Sequence, residues 1–172
     1  AGCAIYNGSG QWVNIYNQPM TLSAYAFNTL MGLSGGIIGA YIITRDPFWM
    51  MSGALCGIIS SAAGLDVYYP PLAFVISFIG GVIAPICANY LEKKGIDDAV
   101  GAVPVHGICG VWGIVACGIF ASGYPNMAEG AAAVNFLGQL AGAVIMIAVG
   151  LIPGYLISLL MKKMGILRVP EA

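Results

Sequence analysis

Five long apolar runs, at residues 20–44, 47–66, 70–90, 99–122 and 131–161, leave this chain few ways to fold. Each can cross a hydrocarbon core of about 30 Å, which takes roughly 20 residues of helix. Of the 172 residues, 59% are hydrophobic and 8% charged, and the mean hydropathy is +0.89. A water-soluble globule of that composition would lack the polar surface to cover itself. None of the runs has the charged leader and cleavage site of a secretory signal. The expectation is an all-α polytopic protein with five transmembrane helices, multi-pass in a cell membrane, with the lipid bilayer as its solvent.

Charge placement orients the bundle. Arg45, then Lys93 and Lys94, then Lys162, Lys163 and Arg168 fall on alternate connections, and the intervening connections carry no cation. By the positive-inside rule the cationic side is cytoplasmic, which puts the N-terminal end outside and the C-terminal end inside. Tyr41, Trp49 and Tyr90 near the inner ends, with Tyr68, Tyr69 and Tyr124 near the outer ends, fit interfacial aromatic belts. The expected divisions are an extracytoplasmic segment at 1–18, a five-helix membrane domain at 19–163 and the start of a cytoplasmic tail at 164–172. The polar N-terminal stretch opens on Ala1 with no initiator Met, so the chain is expected to begin partway through a longer protein.

Small residues recur every fourth position, the spacing that lets helix backbones approach closely in lipid. Gly32, Gly36 and Ala40 form one stripe, Gly53, Gly57 and Ser61 a second, Ser77 and Gly81 a third, and Gly138 and Gly142 a fourth. Pro19, Pro47 and Pro70 stand at helix starts, whereas Pro85, Pro104 and Pro153 fall inside runs and are expected to kink them. The last run is longer than a bilayer requires, so it must tilt, bend or protrude. Cys3, Cys56, Cys87, Cys109 and Cys117 have no metal-ligand spacing and read as small apolar packing residues. Neither a metal nor a cofactor is expected. A net charge of -1 argues against a nucleic-acid partner. No nucleophile, base and orienting acid stand together, and no phosphate-binding glycine loop precedes a basic residue, so enzyme chemistry is not expected.

His106 is the single histidine and lies within the fourth run. An ionisable group in a membrane span is costly and marks a pathway or a protein interior by default. Its helical neighbours three and four residues away, Ala102, Val103, Cys109 and Gly110, make an apolar, narrow surround that favours a neutral ring with one donor and one acceptor nitrogen. Such a ring can relay hydrogen bonds to a small polar solute, or can tie two helices together by one hydrogen bond; residue chemistry alone does not separate these readings. Asp97 and Asp98 precede the run, where a carboxylate caps free backbone N–H groups and complements the helix dipole.

The segments IDDAVGAVPVHGICGVWG, MSGALCGIISSAAGLDVY and GILRVPEA resemble the second half of the ammonium transporter family, which includes the methylammonium permeases and Rhesus proteins. The resemblance runs from Asn28 to the C-terminus and corresponds to spans seven to eleven of an eleven-span fold, the second inverted repeat plus the long final helix. It implies a homotrimer with a pore through each subunit. His106 would be the second member of a twin-histidine pair stacked along a hydrophobic pore. AGCA resembles the motif that follows the family's sixth span, which implies that Cys3 replaces the serine of the outer ammonium vestibule. Gly101 stands where many members carry an aspartate, so that carboxylate's role does not transfer.

The implied solute is ammonium or ammonia, with methylammonium close in size and charge. A bare ammonium ion in low dielectric faces an idealised Born cost of order 20 kcal/mol. Removing its proton near neutral pH costs only about 3 kcal/mol, so an apolar pore favours ammonia with the proton handled separately. Histidine suits that task because its two nitrogens can accept and donate in sequence. The runner-up functions are an ammonium-sensing membrane domain of a signalling protein and an inactive fragment. A short tail beyond the last span would suit regulation by a cytoplasmic protein.

Overall fold

The computed structural model describes residues 5–6, 10–13, 20–123 and 133–167. Strands β1 (Ile5–Tyr6) and β2 (Trp12–Val13) form a two-residue antiparallel ladder, Ile5 opposite Val13. Helix α1, Leu22–Thr44, starts where the Thr21 hydroxyl accepts the Ala24 N–H at 3.1 Å. It stops where Arg45 turns to φ 53° and returns its N–H to the Tyr41 carbonyl at 2.9 Å. Asp46 then accepts the Phe48 N–H at 2.9 Å and caps α2, Pro47–Ser61. Pro47 fills the first turn, where its missing N–H costs nothing.

Helix α2 is 15 residues long, about 22 Å, and so falls short of the expected 47–66 run. The Ser60 and Ser61 hydroxyls bond back to the Cys56 and Gly57 carbonyls at 2.7 and 3.1 Å, a pattern that bends helices. The chain tightens into a 3-10 turn at Ala62–Gly64, and Asn28 of α1 clasps the stretch just beyond it. Its amide donates to the Leu65 and Tyr68 carbonyls at 2.9 and 2.7 Å. Helix α3, Pro70–Lys93, continues through Pro85.

Helices α1, α2 and α3 pack on one another through the first three small-residue stripes. Gly36 lies at their meeting point: a methyl there would run into the Gly53 carbonyl and stand 2.7 Å from the Gly57 Cα and N, while one on Gly81 would strike the Gly36 carbonyl. Ser77 of α3 donates to the Gly57 carbonyl at 2.8 Å in the same layer. Among the described residues the fourth stripe meets no other helix. A methyl on Gly142 would meet nothing within 4 Å, and one on Gly138 would meet only its own cap residue, Asn135.

After α3 a turn leads to a π-helical segment, Val103–Ile108, continuous with α4, Cys109–Phe120. Pro104 therefore lies in the first turn and not, as expected, inside a helix. Helix α5, Phe136–Lys163, is capped by Asn135, runs through Pro153 and spans about 42 Å. Its main neighbour is α4, and Ala143 is its one buried residue. Among the described residues, Leu22–Thr44, Pro70–Lys93, Val103–Phe120 and Phe136–Lys163 are long and apolar enough to cross a membrane.

The outer aromatic belt needs one correction. Tyr69 is 72% exposed, but Tyr68 is only 5% exposed and lays its ring on Gly64, because the Asn28 clasp turns this stretch inward. Burial, then the neighbouring Cys117 and Asp66, push the Tyr68 phenol above its ordinary pKa. Tyr124 lies outside the described residues.

Candidate pore-lining site

The site is built from the N-terminal end of the fourth helical run. Both Asp98 carboxylate oxygens accept backbone N–H groups, Oδ1 from Ala102 and Oδ2 from Val103, each at 2.8 Å. The Asp98 carbonyl also accepts the Gly101 N–H at 2.9 Å, closing the turn that starts the helix. Gly101 has φ +68°, a region that L side chains rarely adopt, and a methyl there would stand 3.2 Å from the Trp49 ring. Asp97 is exposed and, with Trp49, Glu92 and Asp98, lines a cavity of about 270 Å³.

From this cap the backbone winds as a π-helix, a wide turn that is rare and frequent at functional sites. Val105, Cys109, Gly113 and Ala116 face the core. The Cys109 thiol donates to the Gly80 carbonyl at 3.5 Å and Trp112 Nε1 to the Ile76 carbonyl at 2.9 Å. A methyl on Gly113 would lie 2.6 Å from the Ser60 carbonyl. These contacts are backbone-directed, so they fix the rotation of the helix as well as its depth.

That rotation turns His106 outward. It is exposed in this chain, whereas its sequence neighbours led to the expectation of a buried, narrow surround. The small residues on the adjacent face take the buried position, and His106 lines an open groove of about 210 Å³. Gly107, Gly110, Val111 and Ile114 form one wall of that groove and Ala143, Met146 and Ile147 of α5 the other. Every side chain lining it besides the imidazole is apolar. Among the described residues no group hydrogen-bonds the ring.

Asp97 and Asp98 thus gather at the helix start and His106 lies deeper, in a separate groove; the three do not share one pocket. Cys3 lies outside the described residues. Sequence reasoning passed over Asn28, Trp112 and the π-helical segment. Asn28 had a usable signal, as an amide in the middle of an apolar run.

Capped apolar helices and glycine-mediated packing describe a multi-pass membrane protein. The model of the Ammonium Transporter Family matches residues 6–172, and the chain belongs to that family. It is 37% identical over 145 residues to the ammonium transporter Amt2 of Methanocaldococcus jannaschii, covering 83% of this chain and 34% of that protein. It is 30% identical over 138 residues to Amt1 of the same organism, covering 79% and 34%. A putative ammonium transporter of Synechocystis is 33% identical over 165 residues, covering 92% and 36%. The chain spans about a third of the length of these relatives.

Proposed function

We propose that this chain supplies the C-terminal half of an ammonium transporter and contributes His106 to a hydrophobic pore that passes ammonia. The observation that carries the reading is an imidazole without a hydrogen-bond partner among the described residues, on an otherwise apolar groove within a membrane-spanning helix. An intramembrane histidine that ties no helices together is retained for a solute or a proton. Ammonium arriving at such a groove loses its proton more cheaply than it enters low dielectric as an ion. A neutral imidazole then accepts from or donates to the ammonia nitrogen as it passes. Potassium has no proton to release and is rejected.

In this reading residues 1–18 lie outside, 19–163 form the membrane domain and 164–172 begin the cytoplasmic tail. The membrane is the cell membrane, the assembly is a homotrimer, methylammonium is a second solute, and a cytoplasmic protein regulates the tail. Cys3 lines the outer vestibule, and Asp97 and Asp98 serve structurally at the inner end.

The test is His106→Ala in the complete protein, with flux normalised to folded oligomer in proteoliposomes. Substrate flux per molecule should fall at least tenfold, a loss of about 1.4 kcal/mol or more in barrier terms, or its discrimination against potassium should vanish, with insertion and assembly unchanged. Unaltered flux and selectivity per molecule would make His106 a packing residue.

A further inference from the structure

The C-terminal ends of α1 and α3 flank a groove of about 370 Å³ that the pore reading does not use. Ile43, Pro85 and Ile86 form its apolar part, both isoleucines exposed, and Thr44, Asn89, Tyr90 and Lys93 form its polar end. Lys94 adds a second cation there, its Nζ 5.5 Å from the centre of the Tyr90 ring. The nearby carboxylates are engaged elsewhere. Asp46 accepts the Phe48 N–H at 2.9 Å, and Glu92, Asp97 and Asp98 line the separate cavity beside Trp49. The Thr44 hydroxyl is also committed, donating to the Ala40 carbonyl at 3.0 Å and accepting the Asp46 N–H at 3.2 Å. Each helix C-terminus contributes about half a negative charge, less than the full charges of Lys93 and Lys94 together.

We propose that this groove holds one anionic phospholipid of the inner leaflet, with its phosphate at Lys93 and Lys94 and the upper part of an acyl chain along Ile43, Pro85 and Ile86. Both flanking helices are apolar and long enough to cross a membrane, and the groove opens at their shared cationic end, so a lipid reaches it without leaving its leaflet. Basic pockets between membrane helices on the cytoplasmic side suit anionic head groups. Charge makes the selection: each lysine near the surface favours an anionic lipid by about fivefold in affinity, whereas a zwitterionic lipid brings an ammonium group of its own to the same two cations. The Lys93 stem can lie along the isoleucines while its ammonium group meets the phosphate, and the Asn89 amide supplies a further donor. A soluble anion would gain nothing from the apolar part. The inference rests on the proposed orientation and not on the role of His106.

The complete protein is reconstituted in phosphatidylcholine vesicles that carry a trace of phosphatidylglycerol, or in a parallel sample of phosphatidylcholine, with a photoreactive group on the acyl chain near the glycerol. After illumination, peptide mass spectrometry reads the adducts at Ile43, Pro85 and Ile86 as a fraction of all adducts on the protein. The phosphatidylglycerol probe should exceed the phosphatidylcholine probe there by about fivefold or more, and Lys93→Gln/Lys94→Gln should lose at least half of that preference. A smaller preference in the parent, retention of more than half of it in the double variant, or no adduct from either probe because protein covers the groove overturns the proposal. If the double variant does not elute as the parent oligomer, the parent labelled in about 1 M salt decides, because charges there act over only about 3 Å. A preference that falls by at least half supports the site, and a smaller change refutes it. Both leaflets carry the probe and no flux is read, so an inverted topology or an idle His106 leaves the result unchanged.

Discussion

Gly36→Ala sets two opposed effects against each other at one position. Alanine is the better helix former by about 1 kcal/mol, so on an unencumbered face the substitution would stabilise α1. Gly36 is not unencumbered. The new methyl would overlap the Gly53 carbonyl oxygen and lie 2.7 Å from both the Cα and N of Gly57, where ordinary contacts fall at about 3.5–4.0 Å. All three atoms are backbone, and no rotamer change relieves them. The helices would have to separate by about 1 Å. That movement would loosen the layer in which Ser77 donates to the Gly57 carbonyl at 2.8 Å and Gly81 abuts Gly36. Overpacking a dense interior costs about 1–3 kcal/mol and occasionally more. With three backbones meeting here the upper end applies, for a net loss of about 2 kcal/mol after the propensity gain.

Reversible unfolding of the complete protein in mixed detergent micelles reads this directly, with Ser34→Ala as the comparison. Ser34 is on the same helix and exposed, and its hydroxyl bonds only its own turn, to the Leu30 carbonyl at 2.8 Å. Its replacement should stay within about 0.5 kcal/mol of the parent. A Gly36→Ala protein as stable as the parent, or more so, would refute backbone contact at this layer.

Asn28→Asp keeps the size of the side chain but removes both amide donors, leaving the Leu65 and Tyr68 carbonyls unpaired. At about 1–3 kcal/mol for each buried group it should lower stability by about 2–6 kcal/mol in the same assay. Asp98→Ala frees two helix-start N–H groups and should cost about 1–3 kcal/mol, with Asp98→Asn, which keeps one acceptor oxygen, losing less; equal losses would mean that the contact the amide oxygen keeps contributes nothing. A cysteine placed at Gln11 in a cysteine-free background should be labelled from outside intact cells, and one at Lys94 should not; the reverse pattern would invert the proposed topology.

Membrane character, Pro47 and Pro70 at their helix starts and the first three glycine stripes were legible because each depends on residues near one another in sequence. The caps Thr21, Asp46 and Asn135 are equally local but were not singled out from the sequence. The shortness of α2 was not legible. It depends on serine hydroxyls choosing their own helix and on Asn28 reaching across from α1, and hydropathy records neither. The fourth stripe has the same spacing as the first three, yet among the described residues no other helix meets it, because periodicity says that a face is smooth and not what lies against it. The shared burial of Cys56 and Cys109 was invisible for a similar reason, since no spacing rule joins residues on different helices.

The exposure of His106 results from how its helix is seated. Val105, Cys109, Gly113 and Ala116 are small or compact and recur on one face, so that face can approach α2 and α3 until carbonyl oxygens are within reach. The Gly80 and Ile76 carbonyls then take the Cys109 thiol and the Trp112 indole, and the Ser60 carbonyl leaves no room for a side chain at Gly113. The rigid partners in these contacts are the glycine-packed α1–α3 unit, so the helix inherits their order. A histidine on the buried face would have pushed the helices apart and needed a partner for each nitrogen. Placed on the adjacent face, after a two-oxygen cap and within a π-helical turn, it keeps both nitrogens available while the helix behind it stays fixed. That combination is what the proposed hydrogen-bonding relay would require, because a solute passing an imidazole would have to find the acceptor and the donor in a constant position.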